Sequence, residues 1–239
     1  MKIRIYTENS IAANEVVALD SGNSHHVSVV LRRKIGDTVY LFNGSGEYEC
    51  NIQTVSKNSV MVKVVQIVRQ PNSSKGYGIT FFCPVVKKDT MLLMVRQVAE
   101  MGVDKISFFS SNRSPKMVLK PIKIISKVVQ AIEQSEQLKL PEIRFDMGLK
   151  DILQQQKQLV CFSEIASREN ITMSDSDIKK IGQCTDVGII IGPEGGFNKE
   201  ETALLRSGKN VVFASLGKNI LTTETAAIAA LQTVKNIIN

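Results

Sequence analysis

Ile191-Gly192-Pro193-Glu194-Gly195-Gly196-Phe197 follows the apolar run Val187-Gly188-Ile189-Ile190 and precedes Asn198-Lys199-Glu200-Glu201. Glycines and a proline between a buried strand and a helix let the main chain turn sharply and approach a ligand without interference from Cβ atoms. A plain tight turn uses the same composition, so the spacing leaves both roles open. Asn198 followed by Glu201 has the pattern of a capping box and sets a helix start there. No Lys-Ser/Thr pair follows the glycines and the segment does not fit GxGxxG, which disfavours an ordinary nucleotide phosphate cradle.

A second constellation, Leu216-Gly217-Lys218-Asn219-Ile220-Leu221-Thr222-Thr223-Glu224-Thr225-Ala226, again lies between an apolar strand and a helix. Thr225, Ala226, Ala227, Ala229 and Ala230 are small enough to let another backbone come close, either within the chain or across a dimer interface. Glu194 and Glu224 are the carboxylates inside the two motifs. Each is a candidate proton acceptor, and each also suits a helix N-terminus through the dipole. Arg32, Arg33 and Lys34, followed by Gly36-Asp37, form a basic cluster that serves as a phosphate contact or as a solvated loop. Arg113 and Lys116 sit beside Ser and Pro, and with Arg32 and Arg33 they are candidate contacts to the phosphates of a polyanion.

A chain of 239 residues, 43% hydrophobic, holds one large domain or two modest ones. Its formal charge of +7 favours polyanionic partners. Cys50, Cys83, Cys161 and Cys184 are widely spaced, form no CxxC pair and lack clustered histidines, so the pattern specifies neither a zinc site nor a disulfide framework. MKIRIYTENS has no apolar leader core and the apolar runs are too short to cross a bilayer, from which a cytoplasmic protein without membrane association is expected.

The motifs need elements to place them. KIRIY, TVYLFN, YECNIQTV and SVMVKVVQIV read as strands of a small β-barrel, with NGSGE as a turn and helix in HHVSVVLRRKIGD. PNSSKGYG marks a boundary, giving domains 1–70 and 75–239. Beyond it, Met91, Met94, Val95, Val98 and Met101 stripe one helix face, with Asp89 as the expected N-cap and Gly102 as the stop. Strand KISFFS, a helix from about Ile122 to Gln137, strands LVCFS and VGIII, helix Lys199 to Ser207, strand NVVFAS and a helix from about Glu224 to Ile238 complete an α/β domain with a mainly parallel sheet. Ligands of such sheets gather at the carboxyl ends of strands, which directs attention to the loops after Phe162, Ile191 and Ala214.

IGPEGG followed by LG-x-x-IL-x-x-ETA resembles the SPOUT-class methyltransferases, specifically the ribosomal RNA small subunit methyltransferase E family. His26, Val30-Leu31-Arg32, Phe42-Asn43-Gly44-Ser45-Gly46, Gln97 with Glu100-Met101-Gly102-Val103, Arg113-Ser114, Glu136-Gln137 and Pro141-Glu142-Ile143 extend the resemblance over nearly the whole chain. It implies a PUA-like RNA-binding barrel joined to an α/β domain tied in a trefoil knot. It further implies a homodimer that methylates uridine N3 of 16S, small-subunit ribosomal RNA, free or in the assembled subunit, with S-adenosylmethionine as methyl donor. By the same resemblance the cofactor is held mainly by backbone groups at Ser163, Glu164, Ile191, Gly192, Pro193, Gly195, Gly196, Leu216, Gly217, Ile220, Leu221 and Thr225.

The chain departs from the family pattern at several cations. Asn219 and Thr222 stand where the last motif usually carries arginines, and Leu138 and Val29 replace two others. A lost guanidinium weakens phosphate clamping more than it weakens main-chain recognition of a cofactor. Two further readings therefore stay open: a module that binds RNA and cofactor with little turnover, and a SPOUT enzyme acting on tRNA or on a ribose 2′-hydroxyl.

Overall fold

The computed structural model describes residues 2–71 and 78–238. Residues 72–77, on which the expected domain boundary falls, lie outside the described residues. The chain divides into two compact units, Met1–Ser74 with Ile132–Leu140, and Lys75–Ala131 with Pro141–Asn239.

In the first unit, β1 (Arg4–Tyr6), β2 (Val16–Ala18), β3 (Thr38–Phe42), β4 (Glu47–Val55) and β5 (Val60–Arg69) form a sheet ordered β1-β3-β4-β5-β2. Along β5, Val60, Val62 and Val64 are buried and alternate with more exposed residues, the period-two signature of a strand with one face on the core. They pack with Ile5, Val39, Leu41 and Ile52. β2 was not expected, because three residues are too few to show a period. α1 (Ser21–His25), capped by Asp20, runs into a π-helical turn at His26–Val30, and Arg32 follows with φ of 51°.

A buried charge cluster ties this unit together. Arg4 Nε lies 2.5 Å from Glu47 Oε1, and the same guanidinium donates to the carbonyls of Ile132, Glu133 and Gln137 at 2.6 to 2.9 Å. Burial pushes the Glu47 carboxyl up, but hydrogen bonds from Lys2 and Arg4 together with their positive charges outweigh it and hold the group below its ordinary value.

The second unit contains β6 (Gly78–Pro84), α2 (Lys88–Met101), β7 (Lys105–Phe109), α3 (Pro121–Gln134), β8 (Glu142–Met147), α4 (Leu149–Gln155) and β9 (Gln158–Phe162). After these come α5 (Glu164–Arg168), α6 (Asp175–Gln183), β10 (Asp186–Ile191), α7 (Lys199–Ser207), β11 (Val211–Ala214) and α8 (Thr223–Ile238). The last residues of α3 belong to the first unit. The strands make one sheet ordered β11-β9-β10-β6-β7-β8, and every pairing in it is parallel. β9 is buried throughout, as are β6 and β10 beyond their first residues, so both faces of the sheet are covered there. Phe82, Phe109, Cys161, Ile190 and Phe197 share one core cluster.

Helix α7 spans the expected residues. Asn198 Oδ1 accepts from the Glu201 amide at 2.7 Å, and Glu201 Oε2 accepts from the Asn198 amide at 2.9 Å, completing the capping box. In α2 the cap differs from expectation: Lys87 is the N-cap, without a side-chain bond, and Asp89 lies in the first turn, where its charge still suits the dipole. The helix expected to reach Gln137 stops at Gln134, and Glu136 adopts φ of 59°. Gly102, at φ of 78°, ends α2 as expected.

The small-residue helix α8 buries Ala227 and Ala230 and packs on α2. Its Lys235 ammonium donates to the carbonyl of Met101 at the end of α2, a cation placed at a helix C-terminus. Cys50, Cys83 and Cys161 are buried free thiols, and Cys184 is partly exposed. Among the described residues no helix is long and apolar enough to cross a membrane.

Candidate active site

Strands β11, β9, β10, β6 and β7 are consecutive neighbours running parallel, so their carboxyl-terminal ends lie along one edge of the sheet. The loops leaving that edge enclose a cavity of about 690 Å³, a size suited to a cofactor or a nucleobase with its sugar. The loop after β9 contributes Phe162, Ser163, Glu164, Ile165, Ser167 and Arg168 to its wall. That after β10 contributes Ile191 to Glu194, Gly196, Phe197 and Lys199, and that after β11 contributes Leu216, Asn219 to Glu224 and Ala226. Thr90 and Arg113 complete the wall from the segments after β6 and β7.

Local chemistry explains why these loops hold their shape. Ser163 caps α5, its hydroxyl accepting from the Ala166 amide at 3.2 Å. The Gly196 amide donates to the Pro193 carbonyl at 2.8 Å, and Gly196 adopts φ of 67°, a conformation that a side chain disfavours. The Ser215 hydroxyl accepts from the Gly217 amide and donates to the Gly217 carbonyl, both at 3.0 Å, which closes the start of the third loop.

The expected cofactor residues Ser163, Glu164, Ile191, Gly192, Pro193, Gly196, Leu216, Ile220 and Leu221 all reach the wall. Gly195 and Gly217 lie in the same loops, and Thr225 in the first turn of α8, but none of the three is on it. Both candidate proton acceptors, Glu194 and Glu224, line the cavity, as does Arg113. Lys116 is exposed outside it, and Arg32 and Arg33 belong to the first unit. Thr90, Ile165, Arg168 and Lys199 escaped notice in the sequence. Thr90 joins the site because β6 pairs with β10, a long-range fact without local signature, whereas the expected loop after Phe162 pointed at Arg168 without reaching it.

The rim mixes charges. Glu164 pairs with Arg168 one turn along α5. The Glu194 carboxylate lies 3.8 Å from Lys87 Nζ and 3.5 Å from the Thr90 hydroxyl, long contacts that leave it open to solvent. Isoleucine at position 220 is 69% exposed although it lines the cavity, so a bound group has apolar surface left to cover. Cys161, just before the first loop, is not a nucleophile: burial pushes its thiol up, away from the reactive thiolate. The wall thus offers main-chain groups, apolar surface and carboxylates rather than a nucleophile with its base, which suits binding and alignment of a reactant pair.

Known proteins resemble the chain in sequence and in fold. Residues 73–235 match the model of an RNA methyltransferase domain, and residues 19–65 match that of an RNA methyltransferase PUA domain. The ribosomal RNA small subunit methyltransferase E of Rickettsia conorii is 32% identical over 237 residues, covering 97% of this chain and 94% of its own. Its namesake from Bacillus subtilis is 24% identical, over 95% of this chain and 93% of its own. A Legionella pneumophila protein solved in complex with the bound cofactor SAM superposes with a TM-score of 0.86 at 27% identity, over 99% of this chain and 98% of that one. Matched by the RNA methyltransferase domain over residues 73–235 and 32% identical to a relative that covers 97% of it, the chain belongs to the ribosomal RNA small subunit methyltransferase E family.

Proposed function

We propose that the chain transfers a methyl group from S-adenosylmethionine to N3 of a uridine in small-subunit 16S ribosomal RNA. The observation that carries this reading is the meeting of three adjacent loops around one cavity, with a glycine turn on its wall. The residues fit the cofactor. A cavity of about 690 Å³ has the volume, Gly192 and Gly196 let main-chain groups approach, and Phe162, Ile165, Leu216 and Ile220 offer apolar contact.

Bound there, S-adenosylmethionine supplies an electrophilic methyl group. The protein's share of the work is alignment, holding N3 in line at attack distance with water kept out. Uridine N3 must lose its proton as it attacks. Glu194 and Glu224 are the candidate acceptors. Arg32, Arg33, Arg113 and Lys116 are the proposed RNA contacts. Residues 1–70 would serve as the RNA-binding domain and 75–239 as the methyltransferase domain. The trefoil knot, the homodimer and the cytoplasmic location belong to the same proposal and rest on the family resemblance.

Calorimetric titration with S-adenosylhomocysteine tests the cavity. The wild type should bind, and Gly196→Trp should weaken binding by at least about 100-fold, about 2.7 kcal/mol, because an indole fills the space and positive φ is strained. Mass analysis of rRNA from cells lacking the protein tests the reaction: N3-methyluridine should disappear, and its persistence would sink the enzyme reading. Sedimentation as a monomer at micromolar concentration would contradict the dimer. A second reading, a binding module with little turnover, is favoured by uncharged Asn219 and Thr222 on the cavity wall. Normal calorimetric binding with no methyl transfer to small subunits would support it.

A further inference from the structure

The segment after β7, residues 110–120, is stitched at two consecutive residues to the glycine turn and to the first turn of α7 that follows it. The Asn112 amide donates to Glu201 Oε1 at 2.7 Å, and Arg113 Nη1 donates to the Gly195 carbonyl at 2.5 Å. Both bonds join residues more than eighty positions apart. Glu201 divides its two oxygens between two tasks, since its Oε2 accepts from Asn198 and closes the cap of α7. A capping box needs one carboxylate oxygen, so the second is free to hold a different loop.

Contact between Arg113 and the turn is close as well as polar. A Cβ placed on Gly195 would stand 3.2 Å from both Cβ and Cδ of Arg113, so the arginine stem lies flat on the glycine. The segment braces itself in turn: the Ser111 amide donates to Ser114 Oγ at 3.1 Å, and the Ser114 amide donates to the Ser111 carbonyl at 3.0 Å. Arg113 therefore touches the cavity on one side and the Gly195 carbonyl on the other. Beyond Ser114 the chain exposes Lys116 and Lys120, with Val118 at 86% and Ile122 at 85% exposure.

We propose that Arg113 and Glu201 form a latch, positioning residues that hold the Gly192 to Gly196 turn in its cavity-lining shape and transmit filling of the cavity to the 110–120 segment. The latch rests on the reading of the cavity as the cofactor site. A guanidinium has five N–H donors, and Gly195 takes one; a lysine would keep the methylene stem on the glycine but replace the planar fork with a compact, strongly hydrated point charge. Arg113 acts through the turn rather than on the reacting atoms.

The test compares wild type with Arg113→Ala, Arg113→Lys and Glu201→Gln, using S-adenosylhomocysteine as the probe. Arg113→Ala should weaken binding roughly tenfold, the loss of a charge-assisted hydrogen bond at a solvated site, and Arg113→Lys should recover part of it. Glu201→Gln keeps one carbonyl oxygen for two amides and should fall between. In turnover, KM for the methyl donor should rise while kcat changes little, with the thermal midpoint unchanged for the arginine variants. Hydrogen exchange at residues 110–117 should slow when the probe binds to wild type, and this response should vanish in Arg113→Ala. If Arg113→Ala binds the probe within about twofold of wild type and the exchange response persists, the latch is overturned while the cofactor site stands. A wild type that does not bind overturns the cofactor reading itself.

Discussion

Arg4 and Glu47, both in the first unit, are the buried charged residues among those described, whereas the second unit buries neutral polar groups such as Thr80, Ser107, Gln156, Gln158 and Thr223. Taking an ion out of water costs several kcal/mol, offset only by close pairing and further hydrogen bonds. The first unit supplies both, since Arg4 meets Glu47 at 2.5 Å and gathers the carbonyls of Ile132, Glu133 and Gln137 at the end of α3. Charge here is architectural. Around the cavity of the second unit, Glu194, Lys199 and Arg113 remain exposed, where ions are cheap to hold and available to a ligand. Residue type alone does not separate structural from functional charge; burial does.

Breaking the buried pair should produce the largest effect. Glu47→Ala leaves the Arg4 guanidinium without its counter-charge and should cost about 3–5 kcal/mol of stability, read from urea unfolding, while the cavity residues of the second unit keep their places. Removal of a cavity carboxylate, Glu194 exposed and Glu224 half-buried, should instead spare stability and strike turnover. Of Glu194→Gln and Glu224→Gln, the one that removes the proton acceptor should lower kcat about 100-fold, and equal, small losses from both would show that the pocket stabilises the substrate anion without a base. Arg32→Gln, Arg33→Gln and Lys116→Gln together should leave unfolding unchanged and flatten the log-log salt dependence of RNA binding by about 2.

The smallest effect sharpens the contrast through pH. Glu47 has a folded value below its ordinary 4.5, so the stability it contributes is present above that value and is lost as pH falls through the lower, folded one. Glu133 has the opposite sign: burial raises it despite the Tyr6 amide and Arg4, so its contribution favours the fold at low pH and fades as pH rises through its raised value. Acid unfolding of the wild type below pH 4.5 should therefore be steeper than that of Glu47→Gln, measured by circular dichroism along a pH series.

Elements written in local chemistry were the ones that could be read directly. Helix α7 has its cap, Asn198 and Glu201, within its own sequence, and its expected limits agree with the structure. β8, with exposed residues alternating along a sheet edge, and α4 to α6, each nine residues or fewer, went unread because their short patterns carry too little period. At the site, Gly192 and Gly196 of the turn and Leu216, Ile220 and Leu221 after β11 were expected on the wall and lie there. Thr90 was not expected, since nothing near it records which strand lies beside β10, and Lys199, next to the cap of α7, reads only as the first residue of that helix.

Composition determined the basic charge, a sum that needs no fold, and spacing determined the strand-and-helix rhythm and the glycine turn, because each element depends on residues within a few positions of one another. Tertiary structure alone decided which strand ends became neighbours, that Arg4 became a clasp for a distant helix end, and that Arg113 came to rest on Gly195. The physical reason is range: torsional preference, capping and periodicity act over a turn or two, whereas burial and ion pairing act between groups that only the folded chain brings together.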